Sequence, residues 1–276
     1  MIYASLAILG GLGVTFGVGL AVASRMLHVE VDPRIEQVGE VLPGANCGGC
    51  GYAGCSAYAE AIVNGGAPLT ACAPGGEEVA KRIADILGVQ AEAKEKMVAV
   101  VRCQGRVVPS RFTYDGLHDC RAANLLQAGP KGCEYGCLGF GTCANACPFG
   151  AIKMVDNLPV VDEEKCTGCG KCVEACPRRI IALRRVTDYV EVLCMSREKG
   201  GMVRKLCETG CLGCKKCEKS CKFEAIKVQD FLAQIDFDKC KSCGKCVKEC
   251  PVGAIVNFRK ERKAREKAKQ ETATAT

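Results

Sequence analysis

The chain has no tryptophan, only two histidines and few other aromatic residues, six tyrosines and eight phenylalanines among 276 residues. That scarcity excludes the stacked aromatic platforms on which single-stranded nucleic acids rest. His28 and His118 are isolated and read as packing or surface residues, so no side-chain constellation for bond-making chemistry is present. No G-x-G-x-x-G follows a strand to open a helix, which leaves no dinucleotide site. What the chain has in quantity is cysteine, twenty-four in all.

The cysteines fall into phased runs. Cys133-x3-Cys137-x5-Cys143-x3-Cys147-Pro148 is followed by Cys166-x2-Cys169-x2-Cys172-x3-Cys176-Pro177. The second of these is the bacterial ferredoxin run, in which three close thiolates hold one [4Fe–4S] cube and the fourth reaches its neighbour. Two-residue gaps wrap a tight loop around one cube, and the helix that follows carries the last sulfur away. The spacing therefore predicts one cluster on Cys147, Cys166, Cys169 and Cys172 and another on Cys133, Cys137, Cys143 and Cys176. The unit recurs as Cys211-x2-Cys214-x2-Cys217-x3-Cys221 and Cys240-x2-Cys243-x2-Cys246-x3-Cys250-Pro251. By the same exchange, Cys211, Cys214, Cys217 and Cys250 make one set, and Cys221, Cys240, Cys243 and Cys246 the other.

A fifth site is expected earlier. Cys47-x2-Cys50-x4-Cys55-x16-Cys72 sits in a glycine-rich loop, Pro43-Gly44-Ala45-Asn46 and Gly48-Gly49, whose backbone can approach a cluster closely. A helix over 56–64 places Cys55 near a positive helix end, which favours thiolate. Zinc is the rival, since four-cysteine zinc sites also use C-x2-C pairs. Zinc leaves no reason for a third cysteine at the same spacing, so it is weakest for the ferredoxin runs and stands as an alternative here. Disulfides need no such phasing, and thiolate clusters imply a reducing compartment. Five oxidised cubes would contribute about −10, turning the formal +7 into about −3 and removing the case for nucleic acid.

Ile2 to Ala23 carries no charge and is long enough to cross a bilayer as a helix, with Arg25 following at once. Ala21-Val22-Ala23 resembles a signal cleavage site, but there is no basic leader and the apolar stretch is too long. A retained anchor is expected, with Arg25 on the inside. Glycines at 10, 11, 13, 17 and 19 suit close approach of another helix, or simply the glycine richness of membrane helices.

Between the modules, 77–87 reads as an amphipathic packing helix. A charged linker at 92–96 leads into a strand at 97–101. Cys103 and Cys120 come next, and then the first double-cluster unit. The order repeats with a strand at 189–193, Cys194, Cys207 and the second unit, which argues for internal duplication. Cys103, Cys120, Cys194 and Cys207 lie outside every quartet. They fit buried structural thiols, which pack as small hydrophobes, or an additional site. The basic segment 259–271, net +4, suits a solvated helix or tail that touches anionic headgroups or an acidic partner.

The predicted architecture is α+β: one N-terminal transmembrane helix, a small four-cysteine module and two tandem double-cluster ferredoxin-like units. The boundaries expected are an anchor at 1–25, the module at 32–90 and a strand-containing linker at 96–130. Ferredoxin-like units follow at 131–188 and 189–258, and a basic tail at 259–276.

With these parts in this order, the chain resembles the B subunits of the Rnf electron transport complexes over nearly its whole length. The most specific stretches are Pro43-Gly44-Ala45-Asn46-Cys47-Gly48-Gly49-Cys50-Gly51 and Gly136-Cys137-Leu138-Gly139-Phe140-Gly141. The five-residue gap between Cys137 and Cys143, odd for an ordinary ferredoxin, looks like this family, in its longer form. The resemblance implies a single-pass protein of the plasma (inner) membrane with its soluble part cytoplasmic. It would carry electrons between soluble ferredoxin and the other membrane and cytoplasmic subunits of an ion-translocating ferredoxin:NAD oxidoreductase, through five [4Fe–4S] clusters. A reductase partner of a redox-sensing regulator and a polyferredoxin component of a membrane hydrogenase are the alternatives.

Overall fold

The computed structural model describes residues 2–26, 32–90, 95–259 and 262. His28, part of the charged linker and most of the basic tail lie outside the described residues.

Helix α1 (Ile2–Met26) ends on Arg25 in its last turn. It is long and apolar enough to cross a membrane, and none of the stretch Leu9–Met26 is buried against the rest of the chain. Its five glycines face open space.

The next body contains α2 (Pro33–Val41), α3 (Cys55–Val63) and α4 (Gly76–Leu87). Asp32 caps α2 by accepting the Arg34 amide N–H at 2.9 Å, the usual N-terminal device. Gly88, left-handed at φ 68°, ends α4. The faces these helices share bury Val38, Leu42, Tyr58, Ile62 and Ile83. Ile83 is the centre of the amphipathic stripe expected over 77–87, with Val79, Ile86 and Leu87 packed beside it.

The first ferredoxin-like unit is built from β1 (Met97–Val101), α5 (Cys120–Leu125), α6 (Thr142–Asn145), β2 (Ile152–Val155), β3 (Leu158–Val161), α7 (Lys171–Ala175) and β4 (Ile181–Arg185). The second has β5 (Val190–Val192), α8 (Gly200–Leu206), α9 (Lys216–Ser220), β6 (Ile226–Gln229), β7 (Leu232–Ile235), α10 (Lys245–Glu249) and β8 (Ile255–Asn257). Each unit has two antiparallel pairs. In the first, β1 pairs with β4 and β2 with β3; in the second, β5 pairs with β8 and β6 with β7. The β2–β3 hairpin turns on Asp156 and Asn157, both left-handed (φ 48° and 58°), and β6–β7 turns on Asp230 and Phe231 likewise. Two consecutive left-handed residues make the turn whose twist matches the strands.

The pairing corrects one expected boundary. The stretch 96–130 is not a linker beside the first unit, because its strand β1 closes that unit's sheet, with Val101 opposite Ile181. The reason is burial. Val98, Ala99, Val100 and Val101 are all buried, and each fully buried valine contributes about 1.5–3 kcal/mol relative to exposure. A five-residue apolar strand gains that only by covering the cluster-bearing core.

Candidate iron–sulfur centres

All twenty-four cysteines are free thiols. Among the described residues, no three cysteine, histidine or carboxylate side chains converge tightly enough to hold a single ion. A tetrahedral zinc needs four sulfurs at about 2.3 Å from one point. The thiols here stand around small cavities instead, as a cubane requires, since its four irons occupy different corners.

In the N-terminal body Cys47, Cys50, Cys55 and Cys72 line one small cavity. Asn46, itself left-handed at φ 44°, accepts the Cys55 amide N–H at 2.8 Å and so fixes the start of α3. The buried Tyr58 hydroxyl donates to the Pro68 carbonyl at 2.7 Å and accepts the Ala71 amide at 3.2 Å, which holds the chain leading to Cys72. Burial raises the Cys72 thiol above its ordinary range, and the nearby Cys55, Cys47 and Cys50 thiols add to this. All four expected cysteines are together.

In the first unit, burial pushes the Cys172 thiol up to about 12, with Cys166, Cys169, Cys143 and Cys147 as its charge neighbours. The Ala99 amide of β1 donates to Cys166 Sγ at 3.3 Å, and the Ala151 amide to Cys147 Sγ at 3.4 Å. Such N–H···S bonds stabilise thiolate and tune cluster potential. Cys147, Cys166, Cys169 and Cys172 are thus gathered as the spacing requires.

In the second unit, Cys221, Cys240, Cys243 and Cys246 line one small cavity. Burial pushes the Cys246 thiol to about 11, followed by the charges of Cys240, Cys243 and Cys221. Cys217 is likewise pushed to about 12 by burial, then by Cys211 and Cys214. Cys250 shares their core and accepts the Ala254 amide at 3.2 Å. Thiols this reluctant to ionise remain protonated near neutral pH until iron displaces the protons, so cluster assembly releases protons.

One expected set is arranged differently. A small cavity is lined by Cys137, Cys143 and Cys176, but its other cysteine is Cys120, not Cys133. Burial pushes Cys143 to about 11, and the first of its charged neighbours is Cys120, then Cys176. Cys133 instead has Cys103 and Cys207 as its thiol neighbours. Phe140 leaves that loop without its middle thiol, and the capped helix α5 brings Cys120 in. Spacing alone held no sign of it, although Phe140 standing where the other runs have a cysteine was a visible departure.

Exposure separates the two units. Cys214 and Cys243 are the exposed cysteines among the twenty-four. The stretch 211–250 carries nine lysines against six acidic residues, and Lys215, Lys216, Lys241 and Lys245 are exposed beside these two thiols. At the other end of the unit pair, the N-terminal body meets the first unit closely. A Cβ on Gly49 would lie 2.7 Å from the Cys169 carbonyl oxygen.

Comparison with known proteins places iron–sulfur family models over these stretches of the chain. An Fe-S cluster family model covers residues 42–74. Models described as 4Fe-4S binding domains match 159–182 and 233–256, 137–151 and 208–224. The chain is 50% identical over 254 residues, 91% of its length and 96% of the relative's, to the B subunit of the ion-translocating oxidoreductase complex of Methanosarcina acetivorans. It is 48% identical to the B subunit of a proton-translocating ferredoxin:NAD(+) oxidoreductase complex of Clostridium ljungdahlii, covering 88% of each chain. A third relative, the B subunit of the Na(+)-translocating ferredoxin:NAD(+) oxidoreductase complex of Acetobacterium woodii, is 48% identical over 90% of this chain and 75% of its own.

Proposed function

The chain belongs to the family of B subunits of ion-translocating oxidoreductase complexes, and from that premise we propose that it is the membrane-tethered conductor between soluble ferredoxin and the other subunits. The observation that carries this reading is the succession of thiol-lined cavities. They run from the body that follows the apolar helix α1 to the exposed, lysine-flanked Cys214 and Cys243.

Helix α1 anchors the chain, and Arg25 at its end sits on the cytoplasmic side, where reduced thiolates survive. The quartet Cys47, Cys50, Cys55 and Cys72 is closest in sequence to that anchor and exchanges electrons with the membrane subunits. The second unit receives them from ferredoxin. Exposed cluster cysteines shorten the path to a docked donor, and surrounding lysines steer an acidic protein to the site. The chain itself makes and breaks no bonds. It supplies fixed one-electron stations, and the oxidoreductase chemistry belongs to the assembly.

The test is charge reversal. Lys216→Glu with Lys245→Glu, in the assembled complex, raises the KM for reduced ferredoxin and flattens its salt dependence while iron content stays unchanged. Unchanged KM and salt dependence would place the docking surface elsewhere.

A further inference from the structure

The four ferredoxin runs share a backbone device. Cys169, Cys214 and Cys243 are each followed by a left-handed residue, Gly170 (φ 81°), Lys215 (φ 58°) and Gly244 (φ 74°), and then by a short helix bearing the next cysteine. In the run from Cys137 the device is intact, with Gly141 at φ 76° opening α6 and Cys143 inside it. Phe140 stands where the thiol should be. That cube therefore has Cys137, Cys143 and, from across, Cys176, and needs one more ligand. The cysteine that lines its cavity is Cys120. The match to a 4Fe-4S binding domain likewise begins at residue 137, after Cys133.

Cys133 is thereby released, and it has company. A Cβ at Gly136 would lie 3.4 Å from Cys133 Sγ and 3.7 Å from Cys103 Sγ. A Cβ at Gly105 would lie 3.4 Å from Cys207 Sγ and 3.8 Å from Cys103 Sγ. Two glycines thus leave room around three sulfurs that come from both halves of the duplication. Cys194 completes the set, with Cys133 among its charge neighbours. Cys103, Cys133, Cys194 and Cys207 line one cavity, together with Lys131 and with Cys137 at the wall shared with the first unit. The Lys131 ammonium, whose charge acts on Cys137, is buried without a hydrogen-bond partner among the described residues. A buried cation needs a counter-charge, and thiolate-held cubes on either side of Cys137, each at about −2, would provide it.

We propose that Cys103, Cys133, Cys194 and Cys207 hold a sixth [4Fe–4S] cluster at the joint between the two ferredoxin-like units, and that Cys120 completes the cube on Cys137, Cys143 and Cys176. The position gives the site a role, which rests on the reading of the chain as a conductor. The Cys137 amide donates to Cys103 Sγ at 3.4 Å, so one wall of the joint is a ligand of the first unit. On the other side Cys194 is adjacent to Cys211, a ligand of the second. Held by these four cysteines, a cluster would supply a one-electron station between the ligands of the two units, oxidising one neighbour by one electron and reducing the next by one. The two units then form one conductor rather than two.

The test is iron and acid-labile sulfide on the full-length, anaerobically purified protein, with spin quantitation by EPR after complete reduction. The wild type holds about twenty-four irons, six cubes of four. Cys103→Ala with Cys207→Ala retains about twenty, keeps the spectra of both ferredoxin-like units, and leaves the first unit unreduced when ferredoxin is the donor. Cys120→Ala also retains about twenty but loses a different signal. A wild type with about twenty irons, or a Cys103/Cys207 variant with undiminished iron, overturns the proposal. The wild-type count needs no variant to fold. Six cubes that fail to accept electrons from ferredoxin would instead refute the functional reading and leave the site standing.

Discussion

The Thr142 side-chain oxygen accepts the backbone N–H of Cys120 at 2.7 Å. The same hydroxyl donates to Asp119 Oδ2 at 2.9 Å, while Asp119 Oδ1 caps α5 through the Arg121 and Ala122 amides. One hydroxyl therefore fastens the start of α5 to the helix that carries Cys143, and sets Cys120 at the edge of that cavity. Thr142→Val keeps the shape and removes both bonds, at a cost of about 1–3 kcal/mol for the unsatisfied Cys120 amide. The cube on Cys137, Cys143 and Cys176 is then the first to bleach under an iron chelator, and iron loss faster than wild type by one cube is the expected result. Equal bleaching rates would show that Cys120 needs no such fastening.

Gly49 governs the contact between the N-terminal body and the first unit. A methyl there meets the Cys169 carbonyl oxygen at 2.7 Å and the Cys169 Cα at 3.1 Å, both backbone atoms that cannot rotate away. Gly49→Ala should cost about 1–3 kcal/mol of docking through overpacking. Iron content stays at the wild-type value, but electron exchange between the clusters of the two bodies slows, as read by stopped-flow absorbance. Exchange at the wild-type rate would mean that electrons do not cross at this contact.

Tyr58 gives a pH signature. Burial raises its hydroxyl from 10.0 to about 12, so the folded state holds the phenolic proton more tightly than the unfolded one. The sign follows from linkage: this stabilisation is complete below pH 10 and is lost as pH climbs from 10 toward 12. Tyr58→Phe lowers stability near neutral pH by about 1–2 kcal/mol through the lost bonds to Pro68 and Ala71. It also flattens the decline at alkaline pH. Alkaline melts of wild type and variant, followed at the cluster absorbance, check both effects.

Lys215 occupies the left-handed position that Gly141, Gly170 and Gly244 occupy in the other runs. A side chain there costs about 1 kcal/mol relative to glycine. Lys215→Gly should therefore raise the thermal midpoint by a few degrees without altering iron content, and a lowered midpoint would contradict the assignment of strain.

Much of this was legible in the chain because cluster ligands in a ferredoxin run are local. Cys166, Cys169 and Cys172 are fixed by a loop of seven residues, and the same holds for the runs from Cys211 and Cys240. Non-local closure was not legible. Strand β1 finds β4 some eighty residues later, and no periodicity in Met97–Val101 names its partner. The joint between the units draws on residues from Cys103 to Cys207, so no spacing rule could gather them. Phe140 was the one clue: a run with a missing thiol signals both that a replacement must come from elsewhere and that the spare cysteine upstream has other work.

The central claim is that electrons pass through one continuous series of cubes, from the lysine-flanked second unit toward the body next to the membrane helix. Freeze-quench EPR after mixing the full-length protein with reduced ferredoxin tests it most directly. The account predicts that the cubes on Cys211, Cys214, Cys217 and Cys250 and on Cys221, Cys240, Cys243 and Cys246 are reduced first, with the Cys47–Cys72 cube last. Reduction of the Cys47–Cys72 cube at the same rate in a Cys211→Ala/Cys214→Ala variant that has lost its second-unit clusters would contradict it.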